Sequence, residues 1–147
     1  MKFIYVSLFL TCLGIYAVPT PPTIEELIKN SDFIAKTRLV KLKENKLNKF
    51  TISVNATAEI ITEYKAKTKM PEKIDLAFTV LPEYFGKWLK AVPKEDEYIL
   101  FFVEKEIKDR KGNPKKIIGL YEPHVFAFKA VDPELEKILN TIAAAKE

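Results

Sequence analysis

The chain has 147 residues, with 24 basic and 20 acidic side chains, a net charge of +4, one cysteine and one histidine. This length suffices for one domain with a real core. Only Arg38 and Arg110 are arginines, and the lysines alternate with acids, which describes a solvated surface and excludes a nucleic-acid track.

Met1-Lys2 followed by the apolar "FIYVSLFLTCLG" and the small residue Ala17 has the layout of a secretory signal peptide over residues 1–17. Cleavage after Ala17 would leave one domain, 18–147, starting at Val18 and lacking any thiol. The expected address is secreted or periplasmic. The alternative is a membrane-anchored lipoprotein acylated at Cys12, with "FLTC" as a loose lipobox. The apolar run is too short for a comfortable membrane span, and nothing after Ala17 resembles a transmembrane helix.

"VPTPPT" (residues 18–23) is an extended leader, because its prolines oppose a helix. Thr23 and Glu26 form a capping box for a short helix ending near Asn30, with Ile24, Leu27 and Ile28 on one face. A strand follows from Phe33. Its apolar phase slips near Leu39-Val40, which predicts a bulge. "ENKLNK" is a polar connection. "FTISVNATAEII" (50–61) is a strand with Phe50, Ile52, Val54, Ala56, Ala58 and Ile60 on one face. "TEYKAKTKMPEK" is expected to be a basic loop, in which Lys65, Lys67 and Lys69 form a possible contact surface. "IDLAFTVL" (74–81) alternates again. "PEYFGKWLKAVPKED" interrupts the strands, with a short irregular helix through Phe85, Trp88 and Leu89. "EYILFFVEKEI" carries six consecutive apolar residues, Tyr98 to Val103, so both of its faces need cover. Lys111 to Pro114 is a hairpin turn. "KIIGLY" and "HVFAFKAV" complete the strands. Asp132 caps a terminal helix with Pro133 at its first position, and Leu135, Ile138, Leu139 and Ile142 form its stripe.

These elements predict a β-rich fold, all-β or α+β. The expected form is a five- to six-stranded OB-like barrel, with a short helix between strands 3 and 4 and a C-terminal amphipathic helix. The details resemble small secreted bacterial proteins with an OB-fold similar to tissue inhibitors of metalloproteinases and netrin modules. The likeness rests on Ser31-Asp32-Phe33-Ile34, on the run Glu59 to Lys65, and on Glu97-Tyr98-Ile99-Leu100-Phe101-Phe102. It covers about two thirds of residues 18–147. No Gly follows Lys65, and a chain starting at Val18 lacks the N-terminal cysteine through which those inhibitors chelate zinc. The resemblance therefore implies the fold and not metalloproteinase inhibition.

Catalytic motifs are not evident. There is no Gly-x-Ser-x-Gly, no phosphate loop, and no thiol beyond Cys12. His124 has no second histidine or cysteine to share a metal with, so no metal site and no cofactor are expected. The binding candidates are Tyr84, Phe85, Lys87, Trp88 and Lys90, where aromatic faces beside cations suit a sugar or a protein partner. The expected function is an exported non-enzymatic binding or inhibitor-like module for an unknown protein or envelope component. The alternatives are an envelope hydrolase using a carboxylate pair and a structural protein of the cell envelope. The sequon Asn55-Ala56-Thr57 falls in mid-strand and is assigned no role.

Overall fold

A computed structural model describes residues 20–83 and 89–145. The leader through position 19, with the expected signal peptide and Cys12, lies outside them. So does 84–88, where the helix between strands 3 and 4 was expected.

The chain is β-rich, with an antiparallel six-stranded sheet. Its strands are β1 (Phe33–Lys46), β2 (Ile52–Ala66), β3 (Lys73–Val80), β4 (Glu97–Lys108), β5 (Pro114–Leu120) and β6 (Phe128–Ala130). The ladder order is β3-β2-β1-β4-β5, and β6 also pairs with β4. Among the described residues no ladder joins β3 to β5, so the sheet is not closed as the barrel expectation required. The helices are α1 (Ile24–Asn30), α2 (His124–Ala127) and α3 (Pro133–Ala144). No described helix is long and apolar enough to cross a membrane.

The apolar run in β4 is covered on both faces because the sheet separates two cores. Leu100 and Phe102 point into the larger one, with Phe33, Leu39, Val54, Leu76, Phe78 and Val80. Ile99 and Phe101 point the other way, into a second core with Leu27, Ile34, Tyr64, Phe126, Leu135 and Leu139. All four β4 side chains are fully buried. The covers of the second core are α1 and α3. α1 is held by its capping box, with Glu26 N donating to Thr23 Oγ1 at 3.2 Å and Thr23 N to Glu26 Oε2 at 2.8 Å. On α3, Leu135 and Leu139 are buried, whereas Ile138 is 47% exposed and does not belong to the buried stripe.

Three sequence assignments change. "ENKLNK" is not all connection, since β1 runs to Lys46 opposite Ile52. "TEYKA" is not loop, since β2 continues to Ala66 through bulges that keep it paired with β1 at Phe33. Those bulges turn Tyr64 into the second core, where its hydroxyl donates to Glu136 Oε1 at 2.8 Å. Burial and this carboxylate both raise the Tyr64 pKa, so the phenol stays a donor. Lys65 is likewise no solvent contact. Its ammonium donates to the carbonyls of Ile28 and Ser31 and ties down the end of α1. Lys67 pairs with Asp32 and Glu104 at 3.7 and 3.5 Å.

The third change is at "HVFAF". Tyr121 N still donates to Phe101 O at 2.9 Å, but the next residue paired with β4 is Phe128, opposite Leu100. Residues 122–127 leave the sheet between those points and form the single turn α2, closed by Phe126 N to Pro123 O at 3.0 Å. The turn leaves neither of its neighbouring apolar side chains in solvent, since Phe126 and Ala127 are both buried. It sends Phe126 into the second core and Ala127 into the first.

Candidate functional site

Of the predicted binding residues, Tyr84, Phe85, Lys87 and Trp88 lie outside the described residues. Lys90 is exposed and follows Leu89, which forms an isolated bridge to Val80. The described residues therefore leave the aromatic patch unplaced. They bring together two clefts that the sequence did not announce, and the clefts meet at Asp75 and Leu76 on β3.

The first cleft lies on the outer side of β1, β2 and β3, with a volume of about 370 Å³, and is lined by Lys41, Lys43, Asn55, Ala56, Thr57, Asp75 and Leu76. Strand alternation puts Asn55 and Thr57 there, because Val54, Ala56 and Ala58 are held in the core. The lysines arrive by a bulge. Between Val40 and Lys43, β1 has two residues opposite the single Ala56 of β2. Lys41 takes the left-handed conformation, with φ 54°. For a residue with a Cβ this costs about 1–2 kcal/mol. It is held by a distant contact, since Leu42 N donates to Glu95 Oε1 at 2.9 Å, and Leu39 N to Asp96 O at 2.9 Å. Across the cleft, Thr57 Oγ1 donates to Asp75 Oδ1 at 3.1 Å. Two ammonium groups, an amide and a hydroxyl thus face one carboxylate. Such a surface can hold an anionic oxygen at its lysine end and a hydroxyl or amine at Asp75.

The second cleft, of about 330 Å³, fills the seam between the unjoined strands β3 and β5. Its polar lining is Asp75, Lys105, Glu122 and His124, set among Leu76, Ile117, Ile118 and Leu120. The excursion 122–127 carries Glu122 and His124 to it. Gly119 on β5 shapes it too, because a Cβ there would lie 2.9 Å from Cδ of Lys105. The Lys105 stem therefore crosses over Gly119, and its ammonium bonds to Glu122 Oε1. Nε2 of His124 is 3.7 Å from the same Glu122 oxygen, and its side chain is 15% exposed. Burial lowers the His124 pKa and Lys105 lowers it further, while Glu122 opposes both. The imidazole is therefore neutral at pH 7 and able to accept a proton.

Elsewhere the charged groups form structural pairs. Arg38 and Lys36 both reach Glu97, at 2.8 and 3.6 Å, and Lys36 also reaches Glu136 at 3.3 Å. Lys73 pairs with Glu59 at 2.7 Å and Lys116 with Glu104 at 2.9 Å. Each pair keeps at least one member in contact with solvent, and such pairs contribute little to stability. Among the described residues no group of three or more His, Cys, Asp or Glu side chains is placed to hold a metal ion.

The sequence did carry faint signals for both clefts. The phase slip at Leu39-Val40 marked the bulge that delivers Lys41 and Lys43. A lone glycine inside "KIIGLY" marked the close approach of Lys105. Neither signal named the partners, which lie 12 or more positions away. No family model matches the chain, and neither a curated protein nor a solved structure is detectably similar to it.

Proposed function

We propose that the chain is an exported, non-enzymatic binding module of OB-like architecture, whose ligand lies across the two clefts that meet at Asp75. The ladder order supports the OB-like part. β1 pairs with both β2 and β4, β3 follows β2, and β5 follows β4, so β3 against β5 is the one junction a five-stranded barrel would add. OB barrels bind on the face of their second and third strands, which here presents Asn55, Thr57 and Asp75. Export rests on the apolar segment before Ala17. The binding reading is carried by Lys41, a strained residue held in place by Glu95 at the mouth of a polar cleft, since such strain concentrates at ligand sites. The ligand class that fits is an envelope glycan or peptide bearing a carboxylate, with its anionic group against Lys41 and Lys43. Titrating soluble cell-wall glycopeptides into isotopically labelled protein should move the amide resonances of Asn55, Thr57 and Asp75. Lys41→Gln with Lys43→Gln should weaken that binding about tenfold. Unmoved resonances at these positions would remove the assignment.

A carboxylate hydrolase is the second reading, favoured by one observation: Asp75 and Glu122 line the same cleft. Glycan turnover by the purified protein that is lost in Asp75→Asn would establish it and displace the binding module.

A further inference from the structure

The hairpin joining β1 to β2 ends in an apolar pair that nothing else in the described fold uses. Leu47 is 59% exposed and Phe50 37% exposed. They stand on a projecting arm. The β1–β4 ladder ends at Arg38 opposite Glu97, and the β2–β3 ladder ends at Ile52 opposite Val80. The tip at 47–51 therefore lies beyond both neighbouring ladders. It is also rigidly built. Leu47 N and Asn48 N donate to Thr51 O at 3.0 and 3.4 Å, and Phe50 N donates to Asn48 Oδ1 at 2.8 Å. These three bonds tie the backbone N–H groups of Leu47, Asn48 and Phe50 into the turn.

Around this pair the charge is one-sided. Lys43, Lys46 and Lys49 are exposed, and none of them is in an ion pair among the described residues. Glu44 is the single acid between positions 41 and 51. The Lys49 ammonium lies 4.5 Å from the centroid of the Phe50 ring, so cation and apolar face are presented as one unit. A protein interface needs about 800 Å² on each side. Two side chains on a convex tip fall short of that. They suit insertion between lipid headgroups, with the lysines level with the phosphates.

We propose that the tip of the β1–β2 hairpin docks on an anionic lipid bilayer, with Leu47 and Phe50 entering the interface and Lys43, Lys46 and Lys49 facing acidic headgroups. This surface shares Lys43 with the first cleft, but its apolar tip and Lys46 and Lys49 lie outside both clefts and carry the proposal without them.

The test uses protein recovered after export from a bacterial host, in a Cys12→Ser background, carrying an environment-sensitive dye at Thr51→Cys, which keeps the Asn48 acceptor of the turn. Vesicles are phosphatidylcholine alone or a 3:1 mixture with phosphatidylglycerol. Dye emission should shift to the blue only with the mixed vesicles, and the shift should fade in high salt. Leu47→Ser with Phe50→Ser should weaken vesicle binding at least tenfold while leaving the melting temperature unchanged, because both residues are exposed. Each of Lys46→Gln and Lys49→Gln should weaken it about fivefold. No blue shift with either vesicle overturns the proposal. So does equal binding by the Leu47/Phe50 variant, or a dimer in lipid-free solution that the same variant abolishes.

Discussion

Leu139→Ala tests the two-core arrangement directly. Leu139 is fully buried, and it packs in the second core with Ile99, Phe101, Leu27 and Ile34. Truncation removes its transfer free energy and leaves a cavity between α3 and the sheet. For a fully buried Leu the loss is about 2–5 kcal/mol. An unfolding entropy of roughly 2.1 cal/mol/K per residue, over roughly 120 ordered residues, gives about 0.25 kcal/mol/K. A central loss of about 3 kcal/mol then lowers Tm by about 12 °C. Ile138→Ala provides the control one position away, because its half-exposed side chain should cost about 1 kcal/mol or less. Melting should be followed by circular dichroism at two protein concentrations. A Leu139→Ala Tm within about 2 °C of wild type at both would refute the covering role of α3. A deficit that shrinks at the higher concentration would instead place the helix against another molecule.

Three further outcomes follow from the seam and the bulge. The His124 pKa is lowered from about 6.5 in the folded state, so folding favours the neutral imidazole. Its contribution is fully present above pH 6.5 and is lost as the pH falls from there through the folded value, and His124→Phe should abolish that part of the acid dependence seen in urea midpoints. Gly119→Ala should push the Lys105 stem aside at a stability cost of about 1 kcal/mol, since the far end of a lysine can move. Because Lys105 lowers the His124 pKa, the same variant should raise it, which an imidazole proton titration reads; an unchanged value would show that Lys105 does not act on His124. Lys41→Gly should be neutral or stabilising by about 1 kcal/mol, because glycine adopts φ 54° without strain, and a clear destabilisation in denaturant melts would contradict the strain argument.

Local chemistry determined much of this protein before any tertiary contact was known. The capping box at Thr23 and Glu26, the Asp132-Pro133 helix start, the alternation of Val54, Ala56 and Ala58, and the turn at Gly112 each depend on neighbours within a few residues. The six-residue apolar run was also legible as a strand buried on both faces, since no half-exposed strand would carry it. The tertiary structure decided how those faces were covered. It assigned α1 as well as α3 to Ile99 and Phe101, a choice that depends on where a capped seven-residue helix lands and not on its own pattern. It extended β2 through "TEYKA" by bulges, because pairing with Phe33 and Ile34 compensates for a polar sequence. It made "HVFAF" a turn leading into a three-residue strand, whose pairing with β4 resumes only at Phe128 opposite Leu100. Both clefts arise in the same way. Asp75 meets Thr57 across the β2–β3 ladder, and Lys105 meets Glu122 and His124 where the chain leaves the sheet after β5. Such meetings are fixed by register and bulges, and a linear sequence states them only after the sheet has formed.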